Sequence, residues 1–405
     1  MPLAEWIIQE KADIRNATPG ETVIVRVDRV YLQDGNAPTI AKLFKENGFT
    51  KVFDPTRIGV FFDHSVLSPD MHISDRQKDA RIFAEQFGFM QFPAGEGISH
   101  ICAAENGWYQ PKTIVLGSDS HTCTGGVVQC MALGMGATDI AAAMVTGKTW
   151  LRIPETHWIH VKGEPGKYAT AKDVVLYLLS KSSANKYLYK SLEWCGRWTE
   201  SLTWDSAATI ANMAVELGAK CVFLPPGPGR ESGITPITPP EADELITHLD
   251  ITDLPPYVAR PHSPNNAVPL DKCAGQKIDY VFVGSCSNGR LEDLEVLVKA
   301  LDGRTVNKNL QLFVTPGSKT VYLQALKAGI IEMLLNSGAI ISPPGCGACV
   351  GTQGSIPATG DNVLTTMNRN YKGRMGNAGC SIWLSSPFIA GHTAVLGVIP
   401  SLKDI

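Results

Sequence analysis

The chain has 405 residues, with Lys and Arg (36) nearly balancing Asp and Glu (39) for a net charge of −3. Hydrophobic residues at 44% exclude a disordered chain, and the balanced charge gives no basic field for nucleic acid or anionic lipid. No apolar run reaches the ~18–20 residues of a membrane span, and the length suits two or three domains at roughly 150 residues each.

The opening, MPLAEWIIQEKADIR, carries acidic residues early and no basic-then-apolar leader, so a cytoplasmic protein is expected. Thr22–Val27 (TVIVRV) reads as a strand, followed by the turn-rich YLQDGNAP and a helix through AKLFKE ending near Gly48. Ile58–Phe62 and Thr113–Leu116 are further short apolar runs. A Gly/Ala-rich helix, GMGATDIAAAMVTGKTW, stops at LRIPET, and the proline-rich DITDLPPYVARPHSPNNAVPL reads as a linker. Tyr280–Gly284 (YVFVG) leads into SCSNGR and the helical LEDLEVLVKAL. Leu310–Val314 precedes two helical stretches ending at Gly329 and Gly338, then the strand-like AIIS. Short strands alternating with helices predict an α/β chain with mainly parallel sheets, divided into three α/β domains at 1–152, 153–270 and 271–405.

In such sheets ligands collect beyond the carboxyl ends of the strands. Five polar clusters fall there: Gln33-Asp34, Asp63-His64, Gly117 to His121, Ser285 to Asn288, and the loop carrying Cys346 and Cys349. Of ten cysteines, only Cys346 and Cys349 form a CxxC, inside the glycine-rich PPGCGACVGTQGS. Structural zinc usually takes four Cys or His ligands, commonly as two pairs, and no second pair exists here. An iron–sulfur cluster suits glycine-rich loops, whose amides can hydrogen-bond its sulfides, and Cys286 before a helix N-terminus is the natural third thiolate. Zinc, a redox CxxC and buried structural thiols remain open on these residues alone. His64 beside Asp63, His100, and His121 near Asp119 are candidate acid–base groups, each equally readable as a satisfied structural histidine. Glu193 is a further candidate orienting carboxylate. Arg369 and Arg374 could grip two carboxylates of one substrate, or simply lie on the surface.

GSDSHTCTGG, VFVGSCSNGRLEDL, PPGCGACVG and NRNYKGRMG, in this order across essentially the whole chain, resemble the aconitase superfamily. The similarity is to large subunits of the 3-isopropylmalate dehydratase and homoaconitase type. The resemblance implies a [4Fe-4S] cluster on Cys286, Cys346 and Cys349, with one iron lacking a protein ligand and acting as Lewis acid. It implies His64, oriented by Asp63, as proton donor to a departing hydroxyl. His100 and His121 become further active-site histidines, with Asp119 and Glu193 as their carboxylate partners. Gln33 and Ser120 match substrate contacts, Arg369 and Arg374 match carboxylate-binding positions, and Asn288 supports the cluster's surroundings. Full-length aconitases add a swivelling fourth domain, which this chain has no room for, so a separate small subunit is expected. The implied activity is a hydro-lyase isomerising a hydroxy di- or tricarboxylate, best read as 2-isopropylmalate to 3-isopropylmalate. Homocitrate or homoaconitate, dimethylmalate, methylcitrate and a specialised metabolite are alternatives. An iron-responsive RNA-binding role is disfavoured by the charge balance.

Overall fold

Runs of four apolar residues become strands buried on both faces, as parallel sheets require. The computed structural model describes residues 1–183, 185–230, 237–240 and 243–405. In the first part of the chain lie strands β1 (Thr22–Arg26), β2 (Arg29–Gln33), β3 (Ile58–Phe61), β4 (Met90–Phe92), β5 (Ile114–Gly117), β6 (Met131–Gly134) and β7 (Lys148–Arg152). Helices α1 (Leu3–Ala12), α2 (Ala37–Glu46), α3 (Met71–Phe87), α4 (Ser99–Glu105) and α5 (Ala137–Thr146) accompany them. Five strands form a parallel sheet in the order β4-β3-β2-β5-β6.

The TVIVRV run is not its core strand. β1 pairs with β7 in a separate antiparallel ribbon, where Ile24 and Trp150 face each other and both stay exposed. The central strand is β2, whose Val30, Tyr31, Leu32 and Gln33 are all buried, although YLQ was expected in a turn. Gln33 therefore stands at the carboxyl end of the central strand, which places it in the crevice.

The second sheet is parallel throughout, in the order β10-β9-β8-β11, from β8 (Thr156–Lys162), β9 (Ser191–Cys195), β10 (Cys221–Phe223) and β11 (Ile246–Asp250). It packs with α6 (Ala171–Lys181), α7 (Arg197–Ser201) and α8 (Trp204–Met213). The third sheet runs β13-β12-β18-β17-β14-β15-β16. Its strands are β12 (Tyr257–Ala259), β13 (Ala267–Pro269), β14 (Tyr280–Val283), β15 (Gln311–Val314), β16 (Ile340–Ile341), β17 (Asn362–Thr365) and β18 (Ser381–Leu384). Its helices are α9 (Leu291–Leu301), α10 (Lys319–Lys327), α11 (Ile330–Asn336) and α12 (Pro387–Leu396).

The proline-rich segment expected as a linker supplies β12 and β13 to this third sheet. Its prolines flank the strands or sit on the edge strand β13, where the missing N–H costs no ladder bond. Tyr257, Val258 and Ala259 between them are buried, and the Tyr257 amide donates to Asp173 Oδ1 at 2.8 Å.

The sheets are clasped at their carboxyl ends. The Ile98 amide donates to Gly317 O at 2.8 Å, the Cys346 amide to Asp63 O at 2.8 Å, and the Leu224 amide to Gly126 O at 3.1 Å. One continuous core cluster runs from Ile98, Ile101 and Val127 through Ile159 and Trp194 to Phe282, Cys286, Cys346 and Met367.

Candidate active site

Three loops from the first sheet bring the acid–base groups together. Beyond β3, Asp63 accepts from the Ser99 amide at 2.7 Å and holds His64 Nδ1 at 2.6 Å. Beyond β2, Asp34 accepts from the His64 amide at 3.1 Å and from Gln77 Nε2 at 2.9 Å. Beyond β5, Asp119 accepts from the His121 amide at 2.7 Å and meets His100 Nε2 at 3.0 Å. His64 Nε2 lies 3.9 Å from Asp119 Oδ2, so Asp119 stands among all three histidines.

The run after Asp119 folds as a 3₁₀ stretch, Ser120–Val128. It can do so because Gly126 has no side chain, for a Cβ there would sit 2.0 Å from Val222 O. Gln33 is buried and donates from Nε2 to Ser99 Oγ at 3.1 Å, and Ser118 Oγ donates to its Oε1. Ser120 Oγ lies 3.5 Å from His121 Nδ1.

Glu193 is not among these residues. It sits on β9, buried, and accepts from the Leu3 amide at 2.6 Å, so it caps the start of α1 instead of orienting a histidine. Burial pushes its carboxyl up to about 7. The carboxylate that reaches His121 is Glu216, with Oε1 at 2.9 Å from Nε2. The same oxygen lies 2.8 Å from Arg369 Nε. Glu216 sits in the unremarkable run MAVELG after α8, and no local feature of that run marks it. Tyr31 was likewise unforeseen, since YLQ was expected in a turn; its hydroxyl lies 2.8 Å from His100 Nδ1 and 2.7 Å from Tyr109 Oη.

Charge is concentrated here. Burial opposes charge on His64, but Asp63, backed by Asp34 and Asp119, outweighs it and lifts the imidazole to about 10. Burial is likewise overcome at His121, where Cys286, Asp119 and Glu216 raise it to about 10. Burial would raise Asp119, yet the bonds from His100 and His121 hold it well below the carboxylate range. The mouth of the cleft stays open: the side chains of His64, Asp119 and Arg369 are 22%, 23% and 21% exposed.

The thiols come from the third sheet. Cys286 follows β14, and Cys346 and Cys349 follow β16; all three are buried. Ser285, at φ +76°, turns its hydroxyl to 3.8 Å from Cys286 Sγ and 3.7 Å from Cys349 Sγ. Asn368 Nδ2 donates to Cys286 Sγ at 3.3 Å, and Arg374 donates to Cys349 Sγ at 3.5 Å. Burial would raise the Cys349 thiol, but the Arg374 guanidinium holds it below the usual range. Buried Asn288 Oδ1, Asn368 Oδ1 and Arg374 Nε have no hydrogen-bond partner. Three buried thiols, donors aimed at their sulfurs and orphaned polar atoms around them fit an iron–sulfur cluster. Among the described residues, donor atoms crowd within 4.8 Å in His100, His121 and Cys286, and in Asp63, His64 and Cys346, so the thiols abut the acid–base groups.

The aconitase family (aconitate hydratase) model matches residues 5–228 and 271–397. The chain is 38% identical to 3-isopropylmalate dehydratase large subunit 1 of Pyrococcus abyssi, over 100% of this chain and 99% of that one. It is 39% identical to the 3-isopropylmalate dehydratase large subunit of Elusimicrobium minutum, over 100% and 99%. It is 37% identical to the probable methanogen homoaconitase large subunit of Methanothermobacter thermautotrophicus, over 98% and 97%. Aconitase X of Thermococcus kodakaraensis shares the fold at a TM-score of 0.52 and 13% identity, covering 94% of this chain and 89% of that one. No helix among the described residues is long and apolar enough to cross a membrane.

Proposed function

The chain belongs to the aconitase family, whose membership implies an iron–sulfur cluster, and from that premise we propose that it is the large subunit of a hydro-lyase that isomerises 2-isopropylmalate and 3-isopropylmalate in the cytoplasm. Cys286, Cys346 and Cys349 hold a [4Fe-4S] cluster with one iron free of protein ligands. When bound, the cluster supplies Lewis acidity toward a hydroxyl and an adjacent carboxylate. The remaining chemistry falls to side chains. His64, fixed at Nδ1 by Asp63, presents Nε2 to the cleft and protonates the departing hydroxyl, a poor leaving group otherwise. His100 and His121, both against Asp119, line the same cleft and hold the reacting atoms away from bulk water. Arg369 and Arg374 take the substrate's carboxylates, and Gln33 and Ser120 orient it. A small subunit closes the cleft and supplies what the large chain lacks, as the relatives' designation "large subunit" suggests.

The observation that carries this reading is the bond from the Cys346 amide to Asp63 O, which ties the thiol loop to the proton-donor pair. The homoaconitase relative favours a longer tricarboxylate as the second reading. Both are tested by anaerobic reconstitution with a small subunit and turnover on a panel of hydroxy acids. Cys346→Ser should lose the broad visible absorption of the cluster. His64→Ala should keep that absorption and lose about 10²–10⁴-fold in kcat. Full cluster content in Cys346→Ser would refute the ligand assignment.

A further inference from the structure

Lys172 lies outside the acid–base and substrate groups. It stands in the first turn of α6, fully buried, where the helix dipole disfavours a cation. Among the described residues its hydrogen-bond partners are all neutral: Thr366 O at 2.9 Å, Met367 O at 2.6 Å and Ser287 Oγ at 3.4 Å. A buried cation is costly unless negative charge stands near it. Burial pulls the ammonium down to about 8, and the charges that favour it most are Asp293 and Cys286. Asp293 is already committed to Asn288 Nδ2 at 2.8 Å and to the Arg290 amide at 3.0 Å.

The partners of Lys172 belong to two loops that meet at the thiols. Ser287 follows Cys286 directly, and its hydroxyl donates to Thr366 O at 2.8 Å. Met367 precedes Asn368, whose Nδ2 donates to Cys286 Sγ at 3.3 Å. One ammonium therefore joins the loop after β14 to the loop after β17, beside one of the three thiols. We propose that Lys172 is a positioning residue for the cluster, an inference that rests on the cluster reading above. Held by these two loops, its ammonium supplies the buried positive charge that offsets the negative charge of the thiolates. Reduction adds negative charge to a cluster, and the net charge around it sets its potential, so Lys172 favours the reduced form.

The full chain, reconstituted anaerobically with iron and sulfide, tests this by redox titration followed by electron paramagnetic resonance. Lys172→Met keeps most of the length without the charge, and Lys172→Gln keeps a donor for the carbonyls without the charge. Both should fold and take up the cluster. Both should also lower its midpoint potential by at least about 59 mV, a tenfold loss in the one-electron reduction equilibrium. A lysine that only supports the fold would shift the melting temperature and leave the potential at its wild-type value. An unchanged potential in either loaded variant overturns the proposal. Failure of both variants to fold or to take up the cluster also overturns it, since Lys172 would then be a residue of the fold alone. A wild-type chain that takes up no cluster refutes the cluster reading itself, and the role of Lys172 with it.

Discussion

Glu216 uses one oxygen on two partners, His121 and Arg369, and so sets a ring and a guanidinium with a single buried charge. Glu216→Gln keeps the shape and removes the charge that both partners need. In the reconstituted enzyme it should lower kcat/KM by about 10–100-fold, the usual cost of losing a group that orients an active-site histidine. A KM increase larger than the kcat decrease would assign most of the effect to Arg369. Glu193 makes the opposite case. Its folded-state value of about 7 lies above the ordinary 4.5, so it favours the folded chain while protonated. Its contribution is complete below pH 4.5 and is lost as pH rises through about 7. Glu193→Gln should therefore stabilise the chain at pH 8 by about 2 kcal/mol and by much less at pH 5, read from denaturant midpoints. The two glutamates also show where sequence reading stops. LEWCG offers Glu193 as a carboxylate that could orient a histidine, whereas MAVELG looks like any helix end. Which of them reaches His121 depends on how the second sheet docks against the first, and no local pattern encodes that.

At the level of elements, the strand-end loops were readable because each follows a short apolar run and carries groups that a core would not tolerate unpaired. The strand assignment around β1 and β2 was not. Alternating TVIVR looks more strand-like than RVYLQ, yet the first forms a half-exposed ribbon and the second the central strand, because burial on both faces erases alternation. The proline-rich stretch misled in the same way, its prolines masking the short buried run between them. The junction of sheets at Gly97 is equally silent in sequence. Gly97 adopts φ +132°, and a Cβ there would lie 2.5 Å from Ser318 Cα and 2.6 Å from Gly317 O. Gly97→Ala should cost at least about 1–3 kcal/mol in stability by wedging α10 off the first sheet. A melting temperature unchanged in Gly97→Ala would mean that this contact yields freely.

Over the whole molecule, one apolar cluster runs from α4 through the second and third sheets, another joins the first sheet to the second, and backbone bonds interlock the three, so they lack the thin interface that lets domains unfold one by one. Calorimetry of the chain should give a single cooperative transition, and two or three resolved transitions would show that the shared core does not couple the sheets. The same interlocking has a chemical corollary at Cys346. Its amide is committed to the carbonyl of Asp63, and Thr352, farther along its loop, holds the carbonyl of His64 at 2.9 Å. If the loop holds the proposed cluster, oxidative loss of iron that frays it would slacken His64 in the same event. A poisoned enzyme of this kind would retain no half-working remnant, and restoring the metal would have to re-seat the imidazole before turnover resumed.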